Sequence, residues 1–157
     1  MTKLSNQPTS PTVSGEAYKS KPSLRSRNSL SGDTSTGPIV VTGITHIHTT
    51  TDYAFDEVFL WAANHDATTD RELSISVVSS STPSSEAFSS SHTNNTFILN
   101  ILNKEGLQQF YPGIPHKQVS IYASASLDNK INVFGYVDRH YLLDVSDQSI
   151  GYDGGST

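Results

Sequence analysis

Between Val119 and Val137 apolar and polar residues alternate with a period of two, broken once by a turn. Val119, Ile121, Ala123 and Ala125 alternate with Ser120, Tyr122, Ser124 and Ser126. After Asp128-Asn129-Lys130, the residues Ile131, Val133, Gly135 and Val137 alternate with Asn132, Phe134, Tyr136 and Asp138. Successive side chains of a strand point to opposite faces, so this stretch reads as a β-hairpin with one apolar face.

The segments before it read the same way. Residues 39–51 are β-branched and place His46 and His48 on one strand face. Residues 53–63 are the most apolar run, with Val58, Leu60 and Ala62 on one face and Phe59, Trp61 and Ala63 on the other. A strand apolar on both faces belongs in the centre of a sheet or meets a partner on its outer face. Glu72–Val77 alternates with Leu73, Ile75 and Val77 inward, and residues 97–102 form another strand. Residues 79–95 read as a serine-rich loop, and Leu107–Tyr111 as a short strand closed by the turn Pro112-Gly113-Ile114-Pro115. Six to eight short strands, with no ordinary helix and no repeat, predict an all-β antiparallel sandwich of jelly-roll or immunoglobulin-like type.

Residues 1–37 differ. Large apolar residues are few, and Pro8, Pro11 and Pro22 interrupt any regular element. Such a stretch cannot bury enough apolar surface to offset its ordering entropy, so by itself it is expected to be disordered. It carries Lys3, Lys19, Lys21, Arg25 and Arg27 against Glu16 and Asp33, a net of +3, while residues 34–157 carry −8. The chain therefore divides into a basic extended arm (1–37), a sandwich domain (38–144) and a polar tail (145–157). The charge asymmetry suggests a separate partner for the arm. Fully extended, the arm reaches up to ~120 Å at about 3.3 Å per residue.

Chemistry is hard to find. With no cysteine, thiol nucleophiles, thiolate metal sites and disulfides are excluded. Nucleophile elbows, phosphate loops, zinc-protease and dinucleotide motifs are all missing. His46-x-His48 is the strongest metal candidate, with Asp52 or Asp56 to complete it. Two histidines among threonines read more simply as polar residues of a strand. Asp56 and Glu57 are adjacent, so a strand sends them to opposite faces and they do not converge as an acid pair. No enzymatic activity, metal or cofactor is expected. A body at −8 repels phosphate, and the arm's scattered cations make a weak nucleic-acid footprint. No apolar run approaches the roughly 18 residues of a membrane helix, and Met1–Ser5 lacks a signal-peptide core. Tyr53, Trp61, Tyr111, Tyr122, Tyr136 and Tyr141 are candidates for stacking on sugars, although strand aromatics more often serve a core or an interface.

The segments Tyr53–Asn64, Leu73–Val77, Phe110–Pro115, Val119–Ser124 and Ile131–Arg139 resemble a small β-sandwich module of tailed-bacteriophage virions. The shared pattern is an Asp-Glu-Val-aromatic-Leu-aromatic-Ala-x-Asn strand, a Pro-Gly turn, and a closing Gly-Tyr-Val-Asn/Asp-Arg strand. The likeness covers roughly residues 44–140, with Asp138 where Asn is more familiar. Decoration (cement) proteins of phage heads, cyanophage heads above all, pair such a sandwich with an extended arm. The resemblance implies a non-enzymatic protein on the exterior of the capsid, clamping neighbouring capsomers. The arm itself matches no family motif; in this reading its Leu4, Val13, Tyr18, Lys19, Lys21, Leu24, Arg25, Arg27 and Leu30 are expected to contact the major capsid protein. Self-association, as a homotrimer, would use Phe59, Trp61, Phe134 and Tyr136. The alternatives are a neck or tail component of the virion and a carbohydrate-binding adhesion module.

Overall fold

The computed structural model describes residues 25–32 and 37–141. They form an antiparallel β-sandwich of nine strands. These are β1 (Arg25–Asn28), β2 (Ile39–Val40), β3 (Thr45–Thr49), β4 (Ala54–Asn64), β5 (Arg71–Ser79), β6 (Thr96–Ile101), β7 (Gln108–His116), β8 (Val119–Ala125) and β9 (Ile131–Tyr141). The first sheet has the order β1-β9-β4-β7, with β2 pairing the far end of β9. The second has the order β3-β8-β5-β6.

The alternation read from the sequence fills the space between the sheets. Val58, Leu60 and Ala62 of β4 face Leu73 and Ile75 of β5, Ile121 and Ala123 of β8, and Ile131, Val133 and Val137 of β9 in one buried cluster. β4 is central in its sheet, paired with β9 along its whole length and with β7 on the other side.

Several local expectations need correction. Residues 39–51 are not one strand: β2 lies in the first sheet and β3 in the second, with Gly43 at φ +56 in the connection. Pro112–Pro115 is not a turn but lies within β7. That strand is an edge, where a missing N–H costs no ladder bond, and two register shifts against β4 absorb the extra residues. The serine-rich loop is not idle. Its two 3-10 turns, Ser84–Glu86 and Ser90–Asn95, bring Ala87 and Phe88 against Val78 and Tyr122 on the outside of the second sheet. The Ser76 hydroxyl there donates to the Ala87 carbonyl.

Part of the expected arm, residues 25–32, packs on the body. β1 pairs with β9 from Arg25↔His140 to Asn28↔Val137, and Leu30 is 3% exposed within the main core. The physical reason is burial: one leucine and a four-residue ladder suffice to draw residues 25–32 into the body, whatever the composition around them. Gly32 continues the attachment, donating its N–H to the Ile47 carbonyl at 2.9 Å. A Cβ on Gly32 would collide with the His46 carbonyl, so only glycine permits that approach. Residues 1–24, the remainder of the expected arm, lie outside the described residues, as do 33–36 and 142–157.

Candidate interaction face

Pairing of β4 with β9 sets Phe59 opposite Tyr136, Trp61 opposite Phe134, and Glu57 opposite Asp138. All lie on the outer face of the first sheet, because their neighbours Val58, Leu60, Val133 and Val137 point inward. The four residues expected at a subunit interface are thus brought together, each half-buried. The second sheet has its outer face partly covered by the 80–95 loop, whereas this aromatic face is open among the described residues.

The rings form a row across the strands. Phe59 stacks on Tyr136 with centroids 4.9 Å apart and an interplanar angle of 23°. The Arg27 guanidinium from β1 lies 4.0 Å from the Tyr136 ring centre. Trp61 meets Tyr136 at 5.8 Å, tilted by 32°. At the far end Gly113, at φ +80, lets β7 approach the Phe59 ring, which a Cβ there would strike. Because β9 lies between β1 and β4, Tyr136 has Arg27 on one side and Phe59 on the other. A sugar ring stacks on an exposed aromatic face, and Tyr136 offers none. Trp61 stands beside Tyr136 in the same row, and the remaining sugar-stacking candidates are dispersed. Tyr53 stacks on Tyr141 at 6.3 Å, Tyr111 is buried against Phe97 and His116, and Tyr122 sits on the other sheet.

The end of this face nearest residue 25 is charged. Arg25 and Arg27 both bind Asp138, at 2.7 and 2.9 Å, and Arg25 reaches Glu57 at 3.3 Å. The Arg27 guanidinium, helped by Arg25, holds the Asp138 carboxyl down at about 2 despite some burial. Arg25, Arg27 and Leu30, expected to touch a foreign partner, are thus engaged by their own body. Leu4, Val13, Tyr18, Lys19, Lys21 and Leu24 lie outside the described residues.

The metal reading of His46 and His48 is corrected by a β-bulge. His46 pairs with Tyr122 and His48 with Ile121, so β3 carries one residue more than β8 between them. That residue, Ile47, is fully buried. The extra residue cancels the shared face. His46 lies outside, 5.5 Å from the Tyr122 ring and bonded to Thr49 Oγ1 at 2.8 Å. His48 points inward and is 2% exposed. Among the described residues no three His, Asp or Glu side chains converge as ligands.

His48 instead joins a buried ionic network that the sequence reading missed. Arg139 donates to Asp56 through Nε at 2.7 Å and Nη2 at 2.9 Å. The Ser31 backbone N–H donates to His48 Nδ1 at 3.1 Å. A backbone N–H only donates, so the ring proton resides on Nε2 and goes to Asp56 Oδ2, 3.0 Å away. Both ring nitrogens are occupied, and neither is left to take a proton from a substrate. One signal was available: Asp56 falls in phase with Val58 and Leu60, and an inward carboxylate demands a cation.

The network sets a pH dependence. Burial pushes the His48 pKa down, against the pull of Asp56. Burial raises the Asp56 pKa, but Arg139 and His48 together outweigh it and the net shift is downward. The unfolded chain therefore binds protons more readily at both sites, and stability falls as pH falls. Urea midpoints measured between pH 8 and 3 should decline first below about 6.5, the ordinary histidine value, and more steeply through the carboxylate range as Asp56 and Asp138 are protonated in the unfolded chain. A midpoint flat across the whole interval would contradict the assigned network.

No family model matches the chain, and no curated protein matches it in sequence.

Proposed function

We propose that the protein is a non-enzymatic structural component of a tailed-bacteriophage virion, a decoration (cement) protein on the exterior of the head. In this reading residues 1–24 bind the major capsid protein, and the open aromatic face bearing Phe59, Trp61, Phe134 and Tyr136 packs against neighbouring copies in a homotrimer. One observation carries it. The chain leading to residues 1–24 joins the body at β1, the edge strand of the sheet whose outer face is open among the described residues. The root of the arm thus lies on the same sheet as the face, so a trimer joined through the face presents several arms to one shell, and their linked contacts multiply through effective concentration.

The test is a truncation that respects the fold. Removing residues 1–24 should leave a folded body whose affinity for undecorated capsids falls about 100-fold or more, the scale of a lost second contact. Binding isotherms on purified shells measure this. Unchanged affinity would refute the clamp. Copy number separates a head protein, present in many copies per particle, from a neck or tail ring with few.

A further inference from the structure

The two sheets have four edges among the described residues, and three are blunted. β1 is four residues long and carries Arg25 and Arg27. β7 contains Pro112 and Pro115 and two register shifts. β3 is covered by the incoming chain: Gly32 bonds the Ile47 carbonyl, and Ser31 Oγ accepts from the Thr49 N–H. Charges, prolines, bulges and covering segments are the devices by which folded chains keep sheet edges from pairing with other chains.

β6 has none of them. Its sequence, Thr-Phe-Ile-Leu-Asn-Ile, holds no charge, proline or glycine. Ile98 is 62% exposed, and Phe97 and Leu102 are exposed beside it. β6 pairs only with β5 among the described strands; the Thr96 N–H bonds the Thr93 carbonyl and the Gln108 side chain caps Leu102, while the stretch between them, around Ile98 and Asn100, faces outward with no neighbouring strand.

We propose that β6 is a sheet-extension site whose occupant is β6 of a second copy, the two strands running antiparallel across a two-fold axis. Two observations select this occupant. Among the described strands the other three edges are blunted, so a sheet shared between copies is favoured at β6 against β6, in an isologous contact. The body is strongly acidic, and β6 is a neutral stretch of it, so no register of β6 on itself sets like charges opposite. Phe97, Leu99 and Ile101 share the inward face with Leu73 and Ile75. Antiparallel pairing keeps same-face residues opposite, so the two interiors become continuous and the two four-stranded sheets become one of eight. This contact is separate from the aromatic face and does not depend on the virion role.

Sedimentation of the full chain over a concentration series, with hydrogen exchange on the same samples, tests the proposal. The wild type should dimerise, and the Phe97–Ile101 amides should gain protection as it does. Ile98→Lys places a charge near the axis on an exposed site, so the fold should persist by circular dichroism while the dimer weakens at least about tenfold. Trp61→Ala and removal of residues 1–24 should leave β6 protection intact. A chain monomeric at every concentration would overturn the proposal, as would a dimer indifferent to Ile98→Lys. Loss of β6 protection on removing residues 1–24 would assign the edge to the arm instead.

Discussion

Replacing Leu30 with alanine should cost the sandwich about 2–5 kcal/mol, the range for a buried leucine cut to a methyl group. Leu30 is 3% exposed and sits in one cluster with Val137, Val133 and Leu60. Its neighbour Gly135 cannot grow to fill the gap, since a Cβ there would strike the Phe59 carbonyl. The hole should therefore stay largely open, which favours the upper part of the range. In thermal unfolding the loss should appear as a drop of roughly 10 °C or more. Two truncations extend the test. Removal of residues 1–37 takes away Leu30, β1 and the Ser31 and Gly32 attachments, so it should destabilise the body by several kcal/mol more than removal of residues 1–24. Equal midpoints for the two truncations would place residues 25–32 outside the cooperative unit.

Asp56→Ala should be comparably severe, about 3–5 kcal/mol, because it leaves a buried cation without its partner. Asp56 is fully buried and is the shared acceptor of Arg139 and His48. Its loss orphans two Arg139 donors and the His48 Nε2 proton at once. Arg139→Met should also destabilise, by stranding the carboxylate. The double change Asp56→Ala with Arg139→Met removes both charges and should cost clearly less than the sum of the two single losses. Chemical denaturation of the four proteins in a cycle reads the coupling directly. Strict additivity would mean that the two groups do not act as a pair.

The frame of this fold was legible because alternation is a local signal. β4, β5, β8 and β9 each repeat apolar residues at every second position, and sheet pairing only has to respect that phase. The aromatic face was legible for the same reason: Phe59 and Trp61 are out of phase with Val58 and Leu60, as Phe134 and Tyr136 are with Val133 and Val137. What escaped was anything decided by tertiary contact. The bulge at Ile47 has no marker in Thr-His-Ile-His-Thr, yet it separates two histidines that simple alternation would unite. Pro112 and Pro115 mark a turn by local preference, and only the edge position of β7 lets them remain in a strand. Leu30 lies in a polar stretch and earns its place through residues a hundred positions away.

The root of the arm also has a mechanical character. Any tension carried by residues 1–24 enters the body at Arg25. A pull along β1 loads its ladder with β9 in shear, so its bonds resist together and not one after another. The ion pairs of Arg25 and Arg27 with Asp138 share that load and weaken as salt rises. Behind them Leu30 is held in an apolar interior, a contact that charge screening does not weaken, next to the Gly32 bond to Ile47. The attachment therefore combines two chemistries, ion pairs that salt screens and an apolar anchor that screening does not weaken.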